Sequence, residues 1–272
     1  MINRFINRIT IVVCVYMGAL HHAFTQDNTV GARSAGLSDA GVMLKDFWAI
    51  NYNQAGLAYL DNLSLGVSYN HGFIPVMGHR FAGLAVPAAG GTLAVSTSYY
   101  GYSKYYESKS GVAYAMMLGE SLSSGIQIDY LRTHIAENYD SFNMLTFETG
   151  MLYKVNPEFS LGFHIFNPLN FQFSDRIQEI PAVFKLGGGY QGLNNFLLCA
   201  EVVKVPEHKP DVRLGIEYLI LNQFYIRTGV SAIPFSNSFG IGYEWESIMV
   251  NLSFLRHNQL GYTSCISLHY NF

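Results

Sequence analysis

Residues 261–272 read GYTSCISLHYNF, and their alternation decides the fold. In an extended chain Tyr262, Ile266, Leu268, Tyr270 and Phe272 fall on one face, and Thr263, Cys265, Ser267, His269 and Asn271 on the other. The segment before it repeats the pattern, with Ile248, Val250, Leu252 and Phe254 opposed to Met249, Asn251 and Ser253. Working back toward the N-terminus, the period of two recurs in segments separated by turn signals: 63–70, 80–86, 92–102, 111–118, 122–133, 142–154, 159–166, 182–190, 195–203, 212–219, 223–230, 238–244, 247–255 and 261–272. These predict about 14 antiparallel strands.

A sheet packed on a soluble core alternates in the same way. Two features favour an all-β membrane protein, an antiparallel transmembrane β-barrel. The apolar face is wide and aromatic-ended in nearly every segment, and the chain ends on Phe272 within a strand. That ending resembles the C-terminal signal of bacterial outer-membrane barrels. Connections after even-numbered segments are short, whereas those after odd-numbered ones (71–79, 103–110, 134–141, 167–181, 204–211, 231–237 and 256–260) are mostly longer. Outer-membrane barrels sort their connections in this manner, with short periplasmic turns, longer outer loops and an even strand number. An even number places both termini, and the start of any N-terminal segment, on the periplasmic side.

Composition agrees. Hydrophobic residues make up 50% of the 272, aromatic residues 15% and charged residues only 13%, about half the usual charge of a soluble domain. Residues 1–25 read as a signal peptide, with Arg4 and Arg8 before the apolar run 9–20 (ITIVVCVYMGAL) and cleavage before Gln26. That run is too short for a helical span, which needs roughly 20 residues. Without Arg4 and Arg8, 14 Lys+Arg face 19 Asp+Glu, a net charge of −5 that argues against nucleic acid as a partner. Cys199 and Cys265 lie in separate strand segments and read as small semi-buried thiols.

Strand phase assigns Asp129, Glu148, Lys185, Glu201, Arg213, Glu217, Arg227 and Glu244 to the inward face, with His164 and His269. A charge on the lipid face near the midplane would cost about 2–4 kcal/mol. Acids and bases interleave, for example Arg213 with Glu217 and Arg227. A mixed-sign network that fills and stiffens a closed barrel fits this better than a charge-selective conduit. No Gly-x-Ser-x-Gly elbow, His-Glu-x-x-His or other nucleophile–base pair is present, so neither an enzyme nor a cofactor or metal site is expected.

Residues 26–62 precede the first strand. They are rich in small residues and read as a hatch folded against or inside the barrel, because such a segment cannot build a core of its own. Trp48, Tyr52 and Leu57 are its expected anchors. The runs GARSAGLSDAGV (31–42) and WAINYNQAGLA (48–58) carry Gly31, Arg33, Gly36, Asp39, Gly41, Trp48, Asn51, Asn53, Ala55 and Gly56. They resemble the N-terminal signature of the PorV/PorQ family, within the wider FadL-like group of fourteen-stranded barrels. Gln54 stands where that family usually has proline.

The resemblance implies a non-enzymatic accessory subunit of a larger outer-membrane complex, serving type IX secretion, surface attachment or barrel assembly in a Gram-negative bacterium. The likeness to FadL implies the alternative, a transporter of hydrophobic small molecules with lipid or fatty acid as ligand. A structural or lipid-modifying barrel is a third reading. Phe73, Ile74, Pro75, Val76 and Met77 form the apolar candidate docking patch, or else a lid packed on the barrel rim.

Overall fold

A computed structural model describes residues 29–74, 76–136, 141–169, 180–193, 195–257 and 261–272. The signal-peptide reading, Pro75 and most of the longest connection lie outside the described residues.

Fourteen antiparallel strands close into a barrel. They are β1 (Ser64–His71), β2 (His79–Ala88), β3 (Gly91–Tyr102), β4 (Tyr105–Met117), β5 (Leu122–Ile135), β6 (Phe142–Lys154) and β7 (Phe159–Phe166). The circuit continues through β8 (Val183–Leu193), β9 (Phe196–Lys204), β10 (Asp211–Ile220), β11 (Phe224–Ala232), β12 (Phe235–Trp245), β13 (Ile248–His257) and β14 (Gly261–Asn271). Each strand pairs with its sequence neighbours, and β1 closes on β14 from Ser64↔Asn271 to His71↔Ser264. Closure removes both sheet edges, as lipid requires, because the bilayer offers no partner to a free N–H or C=O.

The outward phase is apolar along the middle of the strands, as in Ile126 and Ile128 of β5 and Phe239 and Ile241 of β12. Exposed aromatics mark both rims. Tyr153, Tyr190, Tyr218, Phe224, Tyr243 and Trp245 ring the end that carries the short turns, and Tyr102, Tyr130, Phe235 and Tyr262 the opposite, loop end. These are the two interfacial girdles of a membrane barrel.

Two expected outer loops are absent. Residues 103–110 and 231–237 contribute instead to strands joined by two-residue turns, Ser103-Lys104 and Ile233-Pro234. At the first site Tyr106 stacks on Tyr99 at 5.2 Å and lies 5.0 Å from His134. These side-chain pairs draw polar residues into a ladder that rises past the apolar band.

Inside the barrel, residues 29–62 form a plug. It contains α1 (Ala32–Gly36), α2 (Ala49–Tyr52) and a 3-10 turn (Gln54–Tyr59). None of these makes two full turns of α-helix, so the plug is held by what surrounds it rather than by helix propensity. Thr29 sits beside Asp39 at the loop end, whereas Phe272 bonds to Leu63 at the turn end. The first described residue of the plug therefore lies on the loop side, not on the turn side where the hatch was expected to begin.

Candidate functional site

The plug fits because the wall facing it is built from glycine. Inward-phase glycines meet across strands as Gly66↔Gly83, Gly125↔Gly150, Gly162↔Gly187 and Gly215↔Gly229. A methyl group on Gly125 would stand 2.5 Å from the Gln54 carbonyl carbon, on Gly162 2.3 Å from the Val42 oxygen, and on Gly229 2.5 Å from the Leu37 carbonyl carbon. The belt lets plug backbone touch wall backbone around the lumen. It is written in the sequence as one glycine at the inward phase of most strands.

Polar wall groups then satisfy the plug's peptide bonds. Ala32 N–H donates to Ser267 Oγ at 3.0 Å, and Ser38 N–H to Ser238 Oγ at 3.0 Å. Gly41 and Val42 N–H both donate to Glu201 Oε2, at 2.9 and 2.8 Å. Asn53 Nδ2 donates to Val42 O and to Met151 O of the wall. Gln54 donates through Nε2 to Glu148 Oε2 at 3.0 Å. Lys45 Nζ donates to Ser160 Oγ at 2.8 Å. Burial, and then the charge of Lys154, lower the Lys45 ammonium pKa below its ordinary value.

The inward charges sort into three clusters. In the first, Glu148 takes Lys109, His164 (2.9 Å) and Gln54, with Asp129 held by Gln127 at 2.8 Å. In the second, Arg33 of the plug reaches Glu217 at 2.6 Å and Asp46 at 2.7 Å, while Arg227 donates to Glu217 and to Asn251. Burial opposes the Arg33 charge, yet Glu217 and Asp46 outweigh it and raise the guanidinium pKa. The third cluster, at the loop end, pairs Arg213 with Asp211 at 2.8 Å.

Of the interleaved charges Arg213, Glu217 and Arg227, the last two pair across strands, while Arg213 bonds to Asp211. Arg213 and Glu217 share a face of β10 but stand four positions apart, about 13 Å along a strand. Register sets Glu217 opposite Arg227 and Arg213 opposite Glu201 and Ser231. Lys185 lies over the Tyr52 ring at 5.4 Å, Glu244 accepts from Tyr225 Oη at 2.6 Å, and His269 stacks on Phe47 at 5.2 Å. Sequence reasoning missed Lys109, Glu107 and Asp46; the first two fell in a stretch read as loop. Cys199 and Cys265 are free thiols on nonadjacent strands, and no metal-binding group of His, Cys, Asp and Glu occurs among the described residues.

Among the described residues, cavities flank the plug at both ends. The one at the loop end, of about 580 Å3, has a wall of Phe73, Ile74, Met77 and Leu255 and a floor at Ser38 and Asp39. Both floor residues hold a left-handed backbone, at φ 53° and 59°, a conformation costly for any residue with a side chain. Asp39 is fixed by Thr29 Oγ1 and Tyr52 Oη, each at 2.7 Å. Of the expected docking patch, Phe73, Ile74 and Met77 line this cavity, with Phe73 edge-on to His257 at 4.9 Å, while Phe73, Ile74 and Val76 all keep exposed surface. A second cavity, of about 230 Å3, opens at the turn end between Arg33, Met43, Leu44, Ser160, Gly189 and Leu197. The apolar cluster of Leu37, Ala40, Met43, Leu44, Leu197 and Cys199 adjoins both: Met43, Leu44 and Leu197 line the turn-end cavity, and Leu37 and Ala40 flank the floor residues Ser38 and Asp39 of the other.

Solved structures share this architecture. The CymD monoaromatic hydrocarbon channel superposes with a TM-score of 0.70 over 92% of this chain and 99% of its own, at 13% identity. The P. putida toluene transporter TodX gives 0.70 over 89% and 98%, at 11% identity. The fold is that of these fourteen-stranded channels. No protein-family model matches the chain and no curated protein matches its sequence, so the PorV/PorQ likeness of residues 31–58 gains no support from them.

Proposed function

We propose that the protein is a non-enzymatic outer-membrane channel for small, uncharged, hydrophobic molecules. The observation that carries the reading is that, among the described residues, cavities at the two ends of the plug adjoin one apolar cluster. Residues 47–57 meet the wall through a close-packed core, and residues 31–44 meet it elsewhere mainly through hydrogen bonds and ion pairs, which an apolar solute cannot replace. Along the Leu37–Met43–Leu197 seam the plug meets the wall through side chains that an apolar solute can wet at little cost. Met43 is unbranched and flexible, and suits a gate that gives way and recloses.

A carboxylate would lose its hydration along the apolar seam, so a neutral solute passes where an anionic one does not. The fold shared with hydrocarbon channels favours the same reading over that of an accessory subunit. In this reading the C-terminus belongs to the periplasmic compartment, and the plug descends through the lumen from Thr29 at the loop end to β1 at the turn end.

The test is uptake by intact Gram-negative cells expressing the protein, with radiolabelled toluene as the neutral probe and benzoate as its anionic counterpart. Toluene accumulation should rise several-fold over cells without the barrel, and benzoate should not. Met43→Ala should raise the toluene rate further and Met43→Trp lower it. Equal uptake with and without the barrel would remove the proposal.

A further inference from the structure

The outward face of the strands carries charge of one sign and at one end. Among the described residues, the acids within strands (Glu107, Asp129, Glu148, Glu201, Asp211, Glu217 and Glu244) all take the inward phase. The outward phase carries exposed Arg80, Arg132, Lys204 and Arg256, each toward the loop end of its strand. The turn end has its aromatic girdle but no outward cation in a strand. A charge on the lipid face is stable only where it reaches the interface, and a cation there gains most where the headgroups are anionic.

Two of the four cations form a prepared site. Register sets Tyr69, Arg80, Tyr99, Ser108, Arg132 and Asn143 in one row across β1 to β6. Arg80 lies between the rings of Tyr69 and Tyr99, 5.7 and 5.8 Å from their centroids, and Arg132 lies 5.8 Å from that of Tyr106, which stacks on Tyr99. The rings fix both guanidinium planes while leaving them exposed. Three strand spacings separate the two arginines, roughly 14 Å. Guanidinium is the side chain best suited to phosphate.

We infer that this row is a docking site for the headgroup of a two-phosphate glycolipid in the leaflet at the loop end, with one phosphate on Arg80 and the other on Arg132. Tyr130, whose hydroxyl donates to Asn143 at 2.9 Å, and Ser108 extend the platform with groups that can bond to sugar hydroxyls. The acyl chains lie down the apolar strands below the row. The site does not depend on the transport reading, and it identifies the loop end as facing the outer leaflet.

The experiment is native mass spectrometry of the detergent-purified barrel titrated with bisphosphorylated lipid A, monophosphoryl lipid A and phosphatidylethanolamine. Bisphosphorylated lipid A should be retained at least tenfold more than phosphatidylethanolamine, with the monophosphoryl form between them. Arg80→Gln with Arg132→Gln should abolish that preference, while Arg256→Gln, on β13, should keep it. Heat-modifiable gel mobility checks that each variant is folded. Equal retention of the two lipid A forms, or a double variant that binds like the parent, would overturn the site.

Discussion

The two halves of the plug are held in opposite ways. Residues 47–57 are glued by a dry core in which Phe47, Trp48, Ile50, Tyr52 and Leu57 pack on Phe81, Ala85, Ala94, Ala113 and Ala115 of the wall. Residues 31–44 are held by hydrogen bonds and ion pairs to Ser267, Ser238, Glu201 and Glu217, and line both cavities. A packed core loses contact area all at once when it moves, so it stays. A hydrogen-bonded segment flanked by space can shift one residue without opening the rest. The difference assigns anchoring to the second half and passage to the first.

The comparison breaks most severely at Trp48. Trp48→Ala empties a fully buried site and should cost about 3–5 kcal/mol of plug stability. Limited proteolysis should then cut within residues 29–62 while the barrel keeps its heat-modifiable mobility. Glu217→Ala comes next. It leaves Arg33 and Arg227 buried side by side, a loss of roughly 3 kcal/mol, read as loss of amide-exchange protection confined to residues 31–44. Gly162→Ala drives a methyl into the Val42 carbonyl and should cost about 1–3 kcal/mol by overpacking, seen as a lowered thermal midpoint. Gly119→Ala, with open space around it, sharpens the contrast by moving the midpoint less than about 0.5 kcal/mol would.

Much of this was legible before any coordinates. The strands of the last third announce themselves because lipid outside and polar lumen inside enforce a strict period of two. The reading fails where that contrast fades. Residues 105–110 (YYESKS) rise above the apolar band, so their outward positions need not be apolar and the segment looks like loop. Lys109, the cation of the Glu148 cluster, was lost with it.

The partners of Gln54 were illegible for another reason. Glu148 is 94 positions away, and only the barrel's closure and register bring them together. The glycine belt lay between these cases. Its members are visible as inward-phase glycines, but their pairing into seats for the plug depends on strand register.

The central claim is that passage runs along the Leu37–Met43–Leu197 seam, and the chain carries the means to lock it. A methyl on Gly215 would stand 2.9 Å from both Cys199 Sγ and Leu37 Cβ, so Leu37→Cys in a Cys265→Ser background can be oxidised onto Cys199. Ala35 packs against Cys265 on the opposite wall, so Ala35→Cys in a Cys199→Ser background staples the plug away from the seam. With closure verified by loss of thiol labelling, toluene uptake should fall at least tenfold in the first variant, recover with dithiothreitol, and persist in the second. Full uptake through the stapled seam, or equal block by both staples, would contradict the account.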